Sequence, residues 1–276
     1  MGGMSIRRRG LPEPQIVIRG DRRVAYREIG RGRPIVMIHG LLMDGRMFDK
    51  LGPMLAGRGY RMIAVDVLGH GASGQPHDMT AYSMPQFAKD VLAVLDHLEL
   101  DEAVIGGTSL GANISLEVAV AAPERVRALM IEMPVLERGI AFAAAVFVPL
   151  ALALRTNRTG MQLLASATRR IPRTAFLVDL LLDFVRRDPQ ASLAILDGIT
   201  FGRVAPPRDE RRHIEHTTLI VGHAADPLHP FSDANTLARD LPNARLLQAR
   251  SIAEWRVVPR RLDRALCAFL DEVWWE

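Results

Sequence analysis

The chain has 276 residues, 49% of them hydrophobic and 24% charged, which predicts a soluble globular protein with a large core and excludes a disordered chain. Its net charge of +4 comes from basic residues interleaved with acidic ones. The densest basic run, at 7–9, has no aromatic neighbours, so we expect no nucleic-acid partner. The single cysteine, Cys267, excludes an internal disulfide and fits a reducing compartment, so we expect a cytoplasmic location.

Short apolar runs alternate with helical patterns from the start of the sequence. Residues 15–20 and 23–30 predict an antiparallel pair of strands, and 34–40 is a continuous apolar run typical of a strand covered on both faces. Strand and helix patterns then alternate to about residue 135, and the same rhythm resumes after residue 210. This pattern predicts an α/β fold with a mostly parallel, doubly wound sheet.

The alternation of strands and helices stops in the middle of the chain, where residues 140–200 predict consecutive apolar helices without strands. A helical block inserted between two strands is typical of a lid. We therefore divide the chain into a core, residues 1–135 and 211–276, and a helical cap, residues 136–210. The apolar stretch 140–154 contains Pro149 and is shorter than the ~20 residues of a spanning helix, so we expect it to be buried or to face an apolar molecule, without a membrane span.

The sequence GTSLG at 107–111 follows a predicted strand and precedes a predicted helix. G-x-S-x-G in this context is the nucleophile elbow, a turn so tight that its ends must lack a Cβ. The turn exposes the serine hydroxyl at the edge of the sheet, beside the positive end of the following helix dipole. The sequence therefore predicts Ser109 as a nucleophile.

With these features the chain resembles the α/β-hydrolase family over nearly its whole length. The segment IVMIHG at 35–40 is similar to the family's oxyanion strand-turn, which implies that the backbone N–H groups of Leu41 and Leu110 stabilise an oxyanion. The segment VDVLGHGASG at 65–74 is similar to a turn that packs under the active site, which implies structural roles for His39 and His70.

The resemblance also implies an acid. The segment TTLIVGHAADPLHP at 217–230 is similar to the family's strand-G-x-x-D-x-x-x-P pattern, which implies that Asp226 orients the catalytic base. Glu132 ends the preceding predicted strand, a position from which some family members donate their acid. Glu132 is therefore the reserve acid.

The base is missing from its usual place after the last strand. Counting back from Pro259, which begins the last predicted helix, reaches Ile252 at the position of the family's histidine, and the last histidine of the chain is His229. His229 is the tentative displaced base, and the alternative is a pocket-lining or surface imidazole with no catalytic role. Glu254, close to the missing-histidine position, is a second option as a carboxylate base or as an arginine partner, and substrate-assisted chemistry is a third.

The resemblance implies a serine-type hydrolase of an ester or acyl bond, and the apolar composition of the predicted cap favours a small apolar or acyl substrate. The alternative is a non-catalytic protein that binds a small ligand, like the gibberellin-type receptors, which resemble this fold and lack the histidine. A lyase or acyltransferase using the same oxyanion hole is a third class. No metal-ligand spacing or dinucleotide motif is present, so we expect no cofactor and no metal. The oligomeric state stays open.

Overall fold

The computed structural model describes residues 11–168, 171, 182, 185–224, 226, 228–251 and 254–275. Its strands are β1 (Gln15–Arg19), β2 (Arg22–Gly30), β3 (Arg33–Ile38), β4 (Tyr60–Asp66), β5 (Ala103–Thr108), β6 (Val126–Glu132), β7 (Thr218–His223) and β8 (Ala244–Ala249). They form one sheet in the order β1-β2-β4-β3-β5-β6-β7-β8. β1 and β2 are an antiparallel pair, β2 lies antiparallel to β4, and the strands from β3 to β8 are parallel. The predicted mostly parallel α/β sheet is therefore confirmed.

The described helices are α1 (Leu51–Ala56), α2 (Met84–His97), α3 (Leu110–Ala121), α4 (Glu137–Thr156), α5 (Arg158–Thr168), α6 (Pro189–Phe201), α7 (Arg208–Arg211), α8 (Phe231–Asp240), α9 (Glu254–Val257) and α10 (Arg260–Trp275). Single 3-10 turns occupy Gly45–Phe48, Met79–Ala81 and Pro123–Arg125. Residues 45–56 therefore contain a 3-10 turn followed by the short α1.

Helices cover both faces of the sheet. Successive residues of β3 point to opposite faces, so that Ile38 joins the apolar core beneath α2, α3 and α8, whereas Met37 joins the core beneath α1 and α10. This burial on both faces explains why β3 is a continuous apolar run in the sequence. It also brings the carboxyl ends of the parallel strands to one edge, where the loops that carry polar side chains meet.

Helices α4 to α7 lie between β6 and β7, where the sequence predicts a cap, and the division into core and cap stays a prediction. The stretch 140–154 belongs to α4, which has 20 residues and contains Pro149. Among the described residues α4 is the one helix long and apolar enough, by length and composition alone, to cross a membrane, and only 11% of its apolar window is buried. Burial, the first of the two expectations for this stretch, is therefore wrong, because most of the helix surface is exposed. The second expectation, contact with an apolar molecule, stays a prediction.

Candidate active site

Ser109 lies at the sharp turn between β5 and α3. Its backbone has φ 56° and ψ −111°, a left-handed conformation that costs energy for a residue with a side chain. The turn is closely packed: a Cβ on Gly107 would lie 2.4 Å from the carbonyl carbon of Gly111, and a Cβ on Gly111 would lie 2.0 Å from the carbonyl oxygen of Ile38. The Ser109 N–H donates to the carbonyl oxygen of Glu132 at 2.9 Å, which ties the turn to β6.

The structure brings Ser109, His229 and Asp226 together in a hydrogen-bonded chain. His229 Nε2 lies 2.8 Å from Ser109 Oγ, and His229 Nδ1 lies 2.9 Å from Asp226 Oδ2. An ionised carboxylate can only accept, so Nδ1 carries the ring proton and Nε2 presents its lone pair to the serine hydroxyl. This is the geometry required of a general base and its orienting acid.

The turn after β7 explains how His229 reaches this position. Asp226 Oδ1 accepts the backbone N–H groups of Leu228 at 2.8 Å and of His229 at 3.1 Å, so the aspartate side chain folds the turn around itself. The same fold presents the other carboxylate oxygen to the His229 ring. One aspartate therefore shapes the turn and orients the imidazole that the turn carries.

The environment of Asp226 keeps it ionised. Its side chain is 5% exposed and that of His229 is 15% exposed. Burial alone would raise the pKa of Asp226, but the hydrogen bonds from the His229 ring and from the turn N–H groups outweigh burial and lower that pKa below its ordinary value. The carboxylate can therefore stabilise a positive charge on the imidazole.

The predicted oxyanion donors lie on either side of Ser109. A Cβ built on Gly40 would lie 3.8 Å from the Ser109 Cβ, so the backbone leading to Leu41 passes close to Ser109. The N–H of Leu110 is at the N-terminus of α3. Within the described part of the chain, neither the Leu41 nor the Leu110 N–H donates a hydrogen bond, so both can bind a developing oxyanion.

Two buried histidines hold the oxyanion loop. His70 Nε2 accepts the N–H of Leu42 at 3.1 Å, and His39 Nε2 accepts the N–H of Val67 at 3.2 Å. Burial lowers the pKa of both rings, which keeps each one neutral and able to accept. Leu42 has φ 60°, a left-handed conformation that the His70 contact helps to fix. These contacts fit the structural roles that the family resemblance implies.

Glu132, the reserve acid, lies in a separate buried network at the end of β6. Its Oε2 accepts Thr108 Oγ1 at 2.5 Å and Arg256 Nη2 at 2.7 Å, and its Oε1 lies 3.2 Å from His223 Nε2. Burial alone would raise the pKa of Glu132, but the Arg256 charge and the hydrogen bonds lower it to about 2. Both carboxylate oxygens are thus occupied, and the acid that contacts His229 is Asp226.

The segment after β8 contains no base in its described part. Ile252 lies outside the described residues. Glu254 begins α9, where its carboxylate accepts Arg261 Nε at 2.7 Å and the N–H of Arg250 at 2.6 Å. The hydrogen bond from Arg261 is the main reason that the pKa of Glu254 falls to about 2. Glu254 is therefore an arginine partner, as one of the two sequence interpretations had it, and its base role is not supported.

Sequence reasoning missed His223 and Arg256. His223 ends β7 and could have been noticed as a second histidine near the predicted acid. Nothing local distinguishes Arg256 from the other arginines of its segment, because its contact with Glu132 joins residues 124 apart in the chain.

Comparison with known proteins gives a family match over most of the chain. A family model described as the alpha/beta hydrolase fold matches residues 33–249. The AB hydrolase superfamily protein YisY of Bacillus subtilis (strain 168) is 38% identical over 89 residues, which are 32% of this chain and 32% of that protein. The chain also matches 41% of a putative non-heme haloperoxidase of Mycobacterium phage D29 and 40% of a putative non-heme chloroperoxidase of Synechocystis. It therefore covers well under two thirds of each of these three relatives.

Other relatives match over most of their length. The 2-hydroxymuconate semialdehyde hydrolase of Pseudomonas putida is 28% identical over 263 residues, covering 88% of this chain and 89% of that protein. Among solved structures, the enol-lactonase of Burkholderia xenovorans LB400 superposes with a TM-score of 0.75 at 23% identity, covering 93% of this chain and 99% of that one. At that identity the likeness shows the fold alone.

Proposed function

Because the chain belongs to the alpha/beta hydrolase fold family, and its relatives support a hydrolase, we propose that it is a serine hydrolase of ester or related acyl bonds. Ser109 is the nucleophile, His229 the general base and Asp226 the acid that orients it. The Ser, acid, His order of the family is kept, with the histidine three residues after the acid.

The observation that carries this proposal is the continuous hydrogen-bonded chain from Asp226 through His229 to Ser109. A serine hydroxyl is a poor nucleophile unless a neighbouring base removes its proton. His229 Nε2 is within reach of that proton, and the ionised Asp226 stabilises the imidazolium that results.

The reaction follows from these positions. Ser109 Oγ attacks the acyl carbon while its proton passes to His229 Nε2, and the N–H groups of Leu41 and Leu110 stabilise the oxyanion. Collapse of the tetrahedral intermediate expels the alcohol, which takes the proton from His229. A water molecule, deprotonated by His229, then hydrolyses the acyl-enzyme, which releases the carboxylic acid and restores the Ser109 hydroxyl.

The surroundings of the oxyanion loop favour an apolar acyl group. Leu41 packs, with Phe147 of α4, against a small apolar cluster formed by Leu154, Leu193 and Leu196. Apolar side chains beside the oxyanion donors exclude water and bind hydrocarbon better than charge. A small apolar substrate is therefore the class we propose.

The test is covalent labelling of the purified protein with a fluorophosphonate, read by intact mass, alongside hydrolysis of p-nitrophenyl esters. We expect rapid single labelling of the wild type, none of Ser109→Ala, and labelling of His229→Ala slower by orders of magnitude. His213→Ala removes an exposed histidine on the loop before β7 and serves as the matched control.

Two results would contradict the proposal. Wild-type protein that stays unlabelled over hours, with no ester turnover, would indicate a protein that binds a small ligand without catalysis. Labelling that His229→Ala leaves as fast as the control variant would show that another group activates Ser109.

A further inference from the structure

The outward side of α4 and α5 presents an unusually apolar surface. We define the outer apolar face as Ile140, Phe142, Val146, Val148 and Leu152 of α4 with Leu163 of α5, all of which are exposed. Leu152 and Leu163 are 60% and 67% exposed. Residues 139–154 contain no charged side chain. Soluble monomers rarely expose continuous apolar patches of this kind without a partner.

α4 is fixed along the surface of the molecule at both ends. Near its start, Asp233 Oδ2 accepts the N–H groups of Leu136 at 2.8 Å and of Gly139 at 2.7 Å. Near its end, Arg155 bonds Asp197 of α6 at 2.6 Å. Because α4 is attached at both ends to the rest of the protein, it would lie flat on an apolar phase and not cross it, as interfacial helices do.

The region that contains this face is cationic. Residues 136–187 contain eight arginines and three acidic residues, a net charge of +5. Arginines attract anionic lipid headgroups, each contributing about 1 kcal/mol near such a surface. An apolar helix face within a cationic segment has the composition of an interfacial anchor.

We propose that the outer apolar face docks this protein on a bilayer surface that contains anionic lipid. The apolar side chains enter the boundary between headgroups and acyl chains, and Arg138 and Arg155, near the two ends of α4, contact lipid phosphates. The inference concerns binding and is independent of whether Ser109 is catalytic.

A second copy of the chain fits this face less well. Twofold pairing through α4 sets the two helices either antiparallel, which brings Arg138 of one copy near Arg155 of the other, or parallel, which brings each arginine near its equivalent in the other copy. Like charges facing each other oppose that pairing. Lipid phosphates bring the opposite charge, so the same arginines that oppose pairing favour the bilayer.

The test measures binding of the full chain carrying Ser109→Ala, so that hydrolysis of lipid plays no part. Vesicles of phosphatidylcholine alone and of phosphatidylcholine with phosphatidylglycerol are floated with protein, and the bound fraction is measured at low and raised salt. The test variant adds Phe142→Ser and Leu152→Ser. The matched control adds Ile18→Ser and Val258→Ser, two apolar residues that are 63% and 64% exposed elsewhere. Thermal unfolding checks that all variants fold.

We expect binding to the anionic vesicles that falls about tenfold or more in the test variant, in raised salt and on neutral vesicles, but not in the control variant. Absence of binding to both vesicle types would overturn the proposal. So would equal binding by the test and control variants, or equal binding to neutral vesicles. A wild-type dimer that the test variant converts to monomer, with no vesicle binding, would instead assign the face to a second copy.

Discussion

Two histidine–carboxylate pairs lie at the carboxyl edge of the sheet. In one, His229 Nδ1 is 2.9 Å from Asp226; in the other, His223 Nε2 is 3.2 Å from Glu132. The two pairs are built from the same side-chain chemistry, and both carboxylates have lowered pKa values. What separates them is the group that faces the second ring nitrogen.

The second nitrogen of His229 faces a hydroxyl, whereas that of His223 faces a carbonyl. Ser109 Oγ can give a proton to His229 Nε2, but the Ser251 carbonyl oxygen, 2.8 Å from His223 Nδ1, can only accept. The Glu132 pair is also held by Arg256. The first pair therefore can move a proton, and the second is a cross-link between β6, β7 and the segment after β8.

Replacing each histidine by alanine gives the largest expected contrast. His229→Ala should lower kcat for ester hydrolysis by about 10⁴-fold to 10⁶-fold, because removal of the base leaves only binding and the oxyanion donors. His223→Ala should lower stability and leave the kcat of the folded fraction within about tenfold. Steady-state kinetics and urea unfolding of both variants check this. Equal losses of kcat would contradict the assignment of a catalytic role to His229 and a structural role to His223.

Replacing Asp226 should lower kcat much more than replacing Glu132. Asp226→Asn keeps the shape of the turn but removes the charge that fixes the His229 tautomer, so kcat should fall by about 10³-fold to 10⁴-fold. Rates at saturating ester measure the effect. If Glu132→Gln lost as much activity with its fold intact, the reserve acid would be the working one.

Among the carboxylates, replacing Glu132 should lower the free energy of unfolding most. Glu132→Gln leaves the Arg256 charge facing a neutral amide in a buried site, which we expect to cost about 3–5 kcal/mol in the free energy of unfolding. Urea unfolding at neutral pH measures it. Arg61, in its partly exposed ion pair with Glu28, offers a comparison: Arg61→Gln should cost about 1 kcal/mol or less.

The Glu132 effect should depend on pH with a defined sign. The pKa of Glu132 is about 2 in the folded chain and has an ordinary value of 4.5, so its ionised form stabilises the fold above pH 4.5. That stability is lost as the pH falls from 4.5 toward about 2. The difference in unfolding free energy between wild type and Glu132→Gln should therefore shrink between about pH 6 and about pH 3. A difference that grows on acidification would contradict the assigned ion pair.

The smallest effect is expected at Glu254. Glu254→Gln weakens the contact with Arg261, whose side chain is 33% exposed, so we expect a loss of about 1 kcal/mol or less in stability. Since Glu254 is not the proposed base, kcat should stay within about twofold. A large loss of kcat with unchanged stability would restore Glu254 as a candidate base.

Much of the fold follows from local patterns in the sequence. The strand and helix periods predict the parallel sheet, and the five residues GTSLG predict the turn at Ser109 because its steric limits are local. The contact between His229 and Ser109 joins residues 120 apart, so its existence depends on the path of the turn after β7. The D-x-x-H spacing of Asp226 and His229 was the local signal for it.

Other features could not be predicted from local patterns. The burial of Glu132 with Arg256 and His223 depends on three separate segments meeting at one edge of the sheet. The sequence also leaves open whether α4 is buried or faces an apolar molecule, since a charge-free apolar run does not reveal how much of the helix circumference packs. In the structure α4 buries only Gly139 and Leu154 among its residues, and the rest of the run lies wholly or partly open.

Asp226 and His229, the proposed acid and base, share a single turn of four residues, so the two side chains would be inherited together. In an arrangement where the base follows the last strand, two separate loops must be retained together for the site to survive. Here one loop carries both groups, with the backbone bonds of Asp226 fixing their relative position. Recombination that exchanges everything after α8 would leave the pair intact, and transplanting that one turn to the same strand end of another sheet would transfer acid and base in a single step.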